Sequence, residues 1–524
     1  MYDILIKNGL VIDGTGVSPA LKDVGISGDK ISEISVGIPE KNGKTVIDAK
    51  EKFVVPGFVD ITSHSDTSWT LFDYPGQESL LSQGVTTIIG GNCGSSLAPL
   101  VHPDAIKSIQ KWTDISKINI NWATTKEFFE EMSKMPLGVN FGTLVGHGTM
   151  RRGVIGEAIR PLNLEEIEKI KLFTEESMKA GAFGLSTGLG YSHEQPATAD
   201  EVINFVRVVK NYGGVYKTHL RSEGREGLLA AINETIKIGR EAEVPVLISH
   251  LKAIGRKEWQ YITAAIDMIK NARNDGILIT FDVFPYLRTG SHLYQLLPRW
   301  AREGGFVKIF ERLKSPDMFA KIVIDMQRAT LHYNRIILAS AKDVSGVGKS
   351  IAEIAKSANL SPEETIAELL IVNEGRVSIF NKNLSGRNLM KLVLYPESSI
   401  ASDGAGYSTE HQKSGTLVHP RSFGTFVHFL HHFVKVLRKL TWEEAIQKVS
   451  SRPAQVIGLK NRGMIAKKYY ADIVVLSPDS LADNSTYTNP YKYSSGIDWV
   501  IVNGKIAMKN GELTGIKAGK VLKK

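Results

Sequence analysis

Short apolar, β-rich runs alternate with helix-start signals through most of this chain, and this alternation is the feature that most limits its fold. Eight runs lie between about residues 53 and 403, and in chain order they read FVVPGFVD, VTTIIGG, GVNFGTLVGH, AFGLSTGL, GGVYKTHL, VPVLISH, ILITFDVFPY and SSIASDG. Helix N-cap patterns stand between them, such as Thr198 with Glu201 and Ser361 with Glu364. Alternating strands and helices predict a parallel α/β architecture, here a (β/α)8 barrel over residues 53–461.

The two ends of the chain follow a different pattern. Residues 1–52 and 462–524 contain short alternating runs between Gly and Asp turns, for example IKNGLVIDGTG and YADIVVLS. We expect these two segments to pair into one small β-sandwich domain. The stretch 287–397, between the seventh and eighth runs, mixes helix and loop patterns. A connection of that length is usually functional or a subdomain, so it predicts a helical insertion on the catalytic face.

Composition and charge limit the kinds of molecule that this protein is expected to bind. The net charge is +9, but the basic residues are scattered and form no arginine-rich arm or basic–aromatic stripe, which favours an ordinary solvated surface over nucleic-acid binding. No apolar stretch reaches the roughly 20 residues of a membrane span, and the first residues lack the pattern of a signal peptide. The single cysteine cannot form an internal disulfide. These features predict a cytoplasmic protein with no nucleic-acid or membrane partner, and they do not indicate an oligomeric state.

Four side chains suited to metal binding or acid–base chemistry stand where apolar runs stop: Cys93, His219, His250 and Asp403. Active sites of (β/α)8 barrels lie at the carboxyl ends of the strands. Thiolate and neutral imidazole are good zinc ligands, and one carboxylate can act in turn as base and acid. Taken singly, each residue also fits a structural role: a small buried cysteine, a hydrogen-bonded histidine or an Asx turn before glycine. As a set they predict a metal-assisted hydrolase.

The chain resembles the amidohydrolase superfamily, and specifically the N-acyl-D-amino-acid deacylases (D-aminoacylases), over almost its full length. The pieces that carry the resemblance include VPGFVDITSHSD, QGVTTIIGGNCGSSLAP, GAFGLSTGLGYSH, YKTHLRSEG, ISHLKAIG, FDVFPY, ASDG and HPRSFGTF. The resemblance implies a barrel of the amidohydrolase type with a β-sandwich built from both termini. It also implies hydrolysis of the amide bond of N-acyl-D-amino acids by a zinc-activated water, which gives a carboxylate and a free D-amino acid.

The resemblance further implies roles for individual residues. Cys93, His219 and His250 are expected to hold an essential zinc, and Asp403 is expected to be the acid–base residue. Arg421, in the HPR segment, is similar to the residue that binds the substrate carboxylate, and a bidentate arginine–carboxylate contact suits that task. A surface arginine in a loop is the alternative interpretation of Arg421. The remaining expected substrate-binding residues are Tyr191, Lys252 and Tyr286.

The chain departs from the family pattern at the end of the first run. The family has His-x-His there, whereas this chain has Thr62, Ser63 and His64. A threonine hydroxyl is a poor replacement for imidazole on zinc. We therefore expect one tightly bound Zn²⁺ and a second site, at His64, that is weak or empty. His64 and Asp66 are expected to contact water or substrate beside it.

Two other features bear on the reaction. Arg288 stands after FPY where relatives carry a small residue, which favours an altered acyl or side-chain specificity. The fourth run has no lysine, which disfavours the hydantoinases and dihydroorotases, since these use a carboxylated lysine there. Two alternatives stay open: an amidohydrolase that acts on a non-peptide or peptide-like amide, and a catalytically impaired binding protein of the amidohydrolase fold. The sequence does not identify the preferred side chain, the acyl group or the physiological metal.

Overall fold

Strands and helices alternate along the middle of the chain in the computed structural model, which describes residues 1–102, 105–106, 115, 118–224, 227–329 and 331–524. The strands are β1 (Tyr2–Val11), β2 (Ala20–Ser27), β3 (Lys30–Ser35), β4 (Gly43–Asp48), β5 (Phe53–Pro56), β6 (Phe58–Asp60), β7 (Val85–Gly90), β8 (Asn140–Thr143), β9 (Val145–Gly146), β10 (Gly184–Gly188), β11 (Val215–His219), β12 (Val246–Ile248), β13 (Ile279–Val283), β14 (Thr289–His292), β15 (Ile336–Ser340), β16 (Ser378–Asn381), β17 (Ser399–Ile400), β18 (Ile473–Leu476), β19 (Ile497–Val502), β20 (Lys505–Lys509) and β21 (Glu512–Leu513).

The α-helices are α1 (Thr70–Asp73), α2 (Glu78–Leu81), α3 (Thr125–Lys134), α4 (His147–Ile155), α5 (Leu164–Ala180), α6 (Ala199–Asn211), α7 (Leu228–Ala242), α8 (Ile262–Asn274), α9 (Arg299–Arg302), α10 (Gly305–Lys314), α11 (Pro316–Gln327), α12 (Ile351–Ala358), α13 (Pro362–Val372), α14 (Gly386–Leu394), α15 (Arg421–Phe429), α16 (Trp442–Val449) and α17 (Ser451–Ile457). The predicted N-caps Thr198 and Ser361 accept hydrogen bonds from the amides of Glu201 and Glu364. Within the described part of the chain, no helix is both long and apolar enough to cross a lipid bilayer.

Eight parallel strands form the barrel. β6, β7 and β8 pair in parallel, as do β9, β10, β11, β12, β13 and β17. β8 and β9 are two halves of one barrel strand that flank Leu144, whose amide donates to the Gly90 carbonyl at 3.1 Å. A bridge between Ser63 and Gly404 closes the ring between the first and last strands. The predicted (β/α)8 barrel is confirmed.

A buried carboxylate stabilises the closure of the barrel between its first and last strands. Asp60, at the end of β6, is fully buried, and its Oδ1 accepts hydrogen bonds from the amides of Ser402 (2.9 Å) and Thr62 (3.3 Å). Its Oδ2 accepts a hydrogen bond from the Ser402 hydroxyl. Burial raises the pKa of Asp60, although the hydrogen bonds from Ser402 and Thr62 act in the opposite direction. One side chain therefore joins the first barrel strand to the last.

The two chain termini form one nine-stranded sheet, ordered β21-β20-β19-β18-β5-β1-β2-β3, with β4 paired to β1. The Ile31 amide, in edge strand β3, donates to the Tyr469 carbonyl at 2.9 Å, so the sheet curls back toward the segment that precedes β18. Phe53–Pro56, which the sequence analysis assigned to the barrel, pairs with β1 and β18 in this sheet. The run FVVPGFVD is thus divided between the two domains. Its first half forms β5, which lies between β18 and β1 in the terminal sheet, and its second half forms the first barrel strand after Gly57.

The insertion between β13 and β17 contains more than the predicted helices. It includes a three-stranded antiparallel sheet, ordered β14-β16-β15, and a separate apolar core that contains Leu293, Ile366 and Ile379. Helix α14, inside the expected range 287–397, belongs instead to the barrel, because its Leu392 and Val393 are buried in the barrel core. Strands of four or five residues are too short for an alternation of apolar and polar residues to distinguish them from loops in the sequence.

Asp60→Ala is expected to weaken the closure of the barrel. The substitution leaves two buried backbone amides and one buried hydroxyl without their acceptor, and each such loss costs about 1–3 kcal/mol. We expect a fall of at least about 2 kcal/mol in the free energy of unfolding, measured by urea denaturation and checked by the thermal midpoint. Asp479→Ala, at an exposed aspartate, is the control. Equal stability of the two variants would contradict this role of Asp60.

Candidate metal centre and catalytic cleft

Three ligand atoms from the second, fifth and sixth strands of the barrel meet at one point. Cys93 follows β7, His219 ends β11 and His250 follows β12. Among the described residues, these three form the one group of three His, Cys, Asp or Glu side chains whose ligand atoms all lie within 4.8 Å of one another. His250 Nε2 lies 3.4 Å from Cys93 Sγ and 3.2 Å from His219 Nδ1. One thiolate and two imidazoles are a zinc ligand set, and three protein ligands leave a fourth position for a reactant.

The backbone at the site is held in an uncommon conformation. Cys93 (φ 54°), His250 (φ 37°) and Asp403 (φ 50°) all adopt the left-handed region that favours glycine. Residues other than glycine occupy this region only when the surrounding structure compensates the strain. At Cys93 the compensation includes Ser186, whose Oγ accepts from the Gly94 amide at 3.1 Å and donates to the Gly91 carbonyl at 2.5 Å. The strained turns direct all three functional side chains into the same space.

Two glycines allow the cysteine loop to approach its neighbours closely. A Cβ on Gly188 would lie 2.3 Å from the Cys93 carbonyl oxygen, and one on Gly94 would lie 1.9 Å from Glu194 Oε1. The Glu194 carboxylate accepts from the Gly188 amide at 3.0 Å and pairs with His147 Nδ1 at 2.7 Å. Asp66, expected to contact water or substrate, accepts from the Gly91 amide at 2.6 Å. Asp66 and Glu194 therefore support the loop that carries Cys93.

A buried carboxylate orients both imidazole rings from behind. Glu223 Oε1 lies 3.2 Å from His250 Nδ1, and Glu223 Oε2 lies 3.8 Å from His219 Nε2. Lys252 Nζ lies 2.5 Å from Glu223 Oε1 and 2.8 Å from His250 Nδ1. Burial opposes ionisation of Glu223, but Lys252 and His219 lower its pKa. Sequence reasoning missed Glu223. Lys252, which it assigned to substrate binding, lines the cleft, and its amine contacts this outer carboxylate.

The charges at the ligand atoms favour a thiolate. Burial opposes ionisation of Cys93, but His250, His219 and His64 together outweigh it and lower the pKa of the thiol well below its ordinary value. Burial and Lys252 favour a neutral His250, but Asp403 and Cys93 outweigh them and raise its pKa to about 10. Thiolate is the form that binds metal.

Asp403 lies between the ligand atoms and Arg421. Its Oδ1 lies 3.1 Å from His64 Nε2 and 4.0 Å from His250 Nε2, and its Oδ2 accepts from Arg421 Nη1 at 2.5 Å. Burial opposes its ionisation, but Arg421, His250 and His64 hold the pKa of Asp403 well below its usual range. A carboxylate in this position can exchange a proton with a reactant that binds beside the three ligand atoms.

The other predicted residues divide into two groups. Tyr191 lines the cleft, with its ring centroid 4.7 Å from that of His219. Tyr286 does not line it: its ring stacks on His428 at 4.8 Å. Arg288 does not line it either, and its guanidinium lies 4.8 Å from the centre of the Tyr487 ring.

His419 is a further residue beside Arg421 to which sequence reasoning gave no role. Its Nδ1 accepts from the Arg421 amide at 3.1 Å, so its Nε2–H donates to the Arg288 carbonyl at 3.0 Å. Burial and Arg421 lower the pKa of His419 well below its ordinary value, which keeps the ring neutral as these two contacts require. The Tyr286 ring meets His419 edge-on at 5.4 Å. The Tyr286 ring therefore contacts His419, which in turn accepts a hydrogen bond from the Arg421 amide. The sequence signal for His419 was its own place as the first residue of the HPR segment.

The site opens into a large cleft of about 2690 Å³. The barrel contributes Tyr191, His219 and Arg421 to its lining, and the insertion contributes residues such as Ser291 and His292. The insertion therefore forms one wall of the cleft, as the sequence predicted for the catalytic face.

Comparisons with known proteins identify the family to which this chain belongs. A family model described as the amidohydrolase family matches residues 400–508. D-aminoacylase from Alcaligenes xylosoxydans xylosoxydans is 30% identical over 524 residues, which cover 99% of this chain and 97% of the relative. This chain belongs to the D-aminoacylase family of amidohydrolases.

Solved structures of the same family share the whole fold. A D-aminoacylase structure reported for the functional role of its binuclear metal centre is 29% identical with a TM-score of 0.84, and the match covers 100% of both chains. The N-acyl-D-glutamate deacylase of Bordetella bronchiseptica, complexed with zinc and a phosphonate mimic of the tetrahedral intermediate, is 25% identical with a TM-score of 0.84, again over 100% of both chains. The predicted membership of this family is confirmed.

Glu223→Gln is expected to weaken zinc binding without removing a ligand. The amide loses the charge that orients His219 and His250, and outer partners of this kind are worth about 10- to 100-fold in metal affinity. Competition of the protein with a chromophoric chelator measures the change. Glu234→Gln, which removes a carboxylate paired 2.8 Å from Arg221 instead, is the matched control. Equal zinc affinities in the two variants would exclude this role.

Zinc binding is expected to release a proton. Because the pKa of His250 is raised to about 10, the metal-free ring is protonated at neutral pH and its proton must leave before Nε2 can bind a cation. The apparent zinc affinity should therefore rise about tenfold per pH unit between about pH 6 and 8. Calorimetry in buffers of different ionisation enthalpy should report about one proton released per zinc ion. An affinity independent of pH would contradict the protonated state of His250.

Proposed function

We propose that this protein is a zinc-dependent hydrolase that cleaves the amide bond of N-acyl-D-amino acids, releasing a carboxylate and a free D-amino acid. The observation that carries the proposal is the meeting of Cys93 Sγ, His219 Nδ1 and His250 Nε2 beside the Asp403–Arg421 pair. The membership of the D-aminoacylase family supports the same reaction.

Cys93, His219 and His250 would hold the zinc ion. When bound there, zinc polarises an amide carbonyl and lowers the pKa of a water molecule. The chain supplies the conditions for that chemistry: a thiolate favoured by its neighbours, two rings oriented by Glu223, and a site in which Cys93 and His250 are buried and His219 is partly exposed. Exclusion of water strengthens the electrostatic interactions among these groups.

Asp403 is proposed to move the proton that amide cleavage requires. Its carboxylate can accept a proton from the attacking water and then donate it to the departing nitrogen, which is a poor leaving group without protonation. The hydrogen bonds with His64 and Arg421 fix the position of Asp403. The low pKa of Asp403 keeps it ionised and ready to act as the base at neutral pH.

Arg421 is proposed to bind the substrate carboxylate. Only its Nη1 contacts Asp403, and among the described residues its buried Nε has no hydrogen-bond partner. The Nε and Nη2 side of the guanidinium can therefore make the bidentate contact that carboxylates favour. The guanidinium carbon lies 5.2 Å from the centre of the Phe284 ring, a contact that favours the cation at this position. Binding of the substrate carboxylate at Arg421 and of the acyl carbonyl at the proposed zinc ligands fixes two substituents of the chiral carbon. The side chain must then point in different directions in D and L substrates.

Two expectations from the sequence extend the proposal. The substrate is a small N-acyl amino acid that enters the cleft beside Tyr191. A reducing compartment such as the cytoplasm suits Cys93, because only the reduced thiolate can bind zinc.

Zinc-loaded protein is expected to release free amino acid from N-acetyl-D-amino acids and not from their L enantiomers. Asp403→Asn should lower kcat by roughly 100- to 10,000-fold, because the amide cannot carry the proton. The zinc content of this variant should stay unchanged, since Asp403 is not one of the three proposed ligands. A panel of D and L substrates followed by detection of the free amine measures both effects.

Cys93→Ala provides the matched control, because it should remove zinc and activity together. Failure of the zinc-loaded wild-type protein to hydrolyse any D substrate would refute the proposal. Cleavage of other amides with retained dependence on Asp403 would favour the non-peptide amidohydrolase alternative. Absence of bound zinc in the wild-type protein would favour the binding protein.

A further inference from the structure

Lys217 is a fully buried cation that the proposed reaction does not use. It lies on β11, two residues before His219, and its side chain is 0% exposed. A buried ammonium group is costly unless it is paired and hydrogen-bonded. Three oxygens meet this need: the Ile61 carbonyl, Thr62 Oγ1 at 2.5 Å and Asp282 Oδ2 at 3.3 Å. The ammonium therefore occupies a cage of oxygens that belong to barrel strands one and seven.

This cage adjoins the residues that differ from the family pattern. Thr62 stands where the family resemblance implies the first histidine of His-x-His, and Thr62 Oγ1 donates to Asp282 Oδ2 at 2.6 Å while it accepts from Lys217. A longer side chain at position 62 would project toward the same ammonium group. The residues here thus fit one metal site, at Cys93, His219 and His250, and do not fit a second one that uses position 62.

The same cage also touches the single metal site. Asp282 Oδ1 accepts from the His250 amide at 2.7 Å, and His250 has the left-handed φ of 37°. Lys217 neutralises Asp282, so the charge pair supports the strained backbone of a proposed zinc ligand. Its positive charge also opposes the approach of a further cation from the Thr62 side.

We infer that the Lys217 ammonium takes the place of a second metal ion, and that the Lys217–Thr62–Asp282 cluster commits this chain to a mononuclear centre. The inference rests on the zinc site of the proposed function, but it concerns how many ions bind and not which amide is cleaved. It identifies Lys217 as a positioning residue and a metal-excluding residue, in a family in which a binuclear centre has been analysed for D-aminoacylase.

Metal stoichiometry tests the inference without any substrate. Metal-free wild type, Thr62→His, Lys217→Ala and the Thr62→His/Lys217→Ala double variant are equilibrated at a series of buffered free zinc concentrations, and bound zinc per chain is measured by atomic emission. The same proteins loaded with Co²⁺ are examined by electron paramagnetic resonance, since two adjacent Co²⁺ ions give a spin-coupled signal. Lys448→Met, which removes another buried lysine, paired 2.9 Å from Ser398 Oγ, is the matched control.

We expect one zinc per chain in wild type, in Lys448→Met and in Thr62→His, because Lys217 remains in each. The double variant should bind a second ion and give the coupled Co²⁺ signal. Two ions bound by wild type, equal second-ion binding by Thr62→His and the double variant, or a folded double variant with one ion would each overturn the inference. Should the double variant lose its near-ultraviolet circular dichroism, wild type and Thr62→His still decide the outcome.

These results are separable from the proposed function. A protein with one zinc and no deacylase activity would refute the reaction and leave the role of Lys217 intact. An active deacylase with two zinc ions would refute the role of Lys217 and leave the reaction intact.

Discussion

One thiol and two imidazole rings share a small buried volume at the carboxyl end of the barrel, and the rest of the site is arranged around them. Cys93 Sγ and His219 Nδ1 lie 3.4 Å and 3.2 Å from the same nitrogen of His250. Groups this close must share protons or a cation, because each loses its contact with water on burial. A zinc ion satisfies all three atoms at once, which is why the set fits a metal better than it fits a core.

The site is organised by three pairs of opposite charge at different depths. Lys217 and Asp282 lie beneath the ligands, Glu223 and Lys252 lie behind the rings, and Asp403 and Arg421 lie beside the reaction space. In each pair, the opposite charges offset part of the cost of burying them. Each pair also contacts a ligand or the acid–base residue, so the pairs position the chemistry as well as stabilise the barrel.

Backbone strain and tight packing act together at the strand ends. Cys93, His250 and Asp403 keep left-handed backbones that an isolated peptide would avoid. Hydrogen bonds that Ser186, Asp66 and Asp282 accept from adjoining backbone amides compensate the strain. The geometry of the ligands therefore depends on residues from several strands and exists only in the closed barrel.

Much of the fold and half of the site could be predicted from the sequence. The alternation of apolar runs and capped helices determines the barrel, and the carboxyl ends of parallel strands converge wherever such a barrel closes. Cys93, His219, His250 and Asp403 were therefore identifiable from their places at the ends of runs. The assignment of Phe53–Pro56 to the barrel was wrong, because an apolar β-run has the same pattern in either sheet.

Only the tertiary structure decided which side chains support those residues. Glu223 and Lys217 act through partners that are distant in the chain, and His419 joins the nearby Arg421 amide to the distant Arg288 carbonyl. Tyr286 lies behind His419 and outside the cleft. The local sequence around Glu223 and Lys217 does not report partners 29 or 155 positions away, as in the Glu223–Lys252 and Lys217–Thr62 contacts. Sequence alone determined where strands end, because periodicity is a local property; the tertiary structure determined which charges meet, because pairing depends on how the strands close in space.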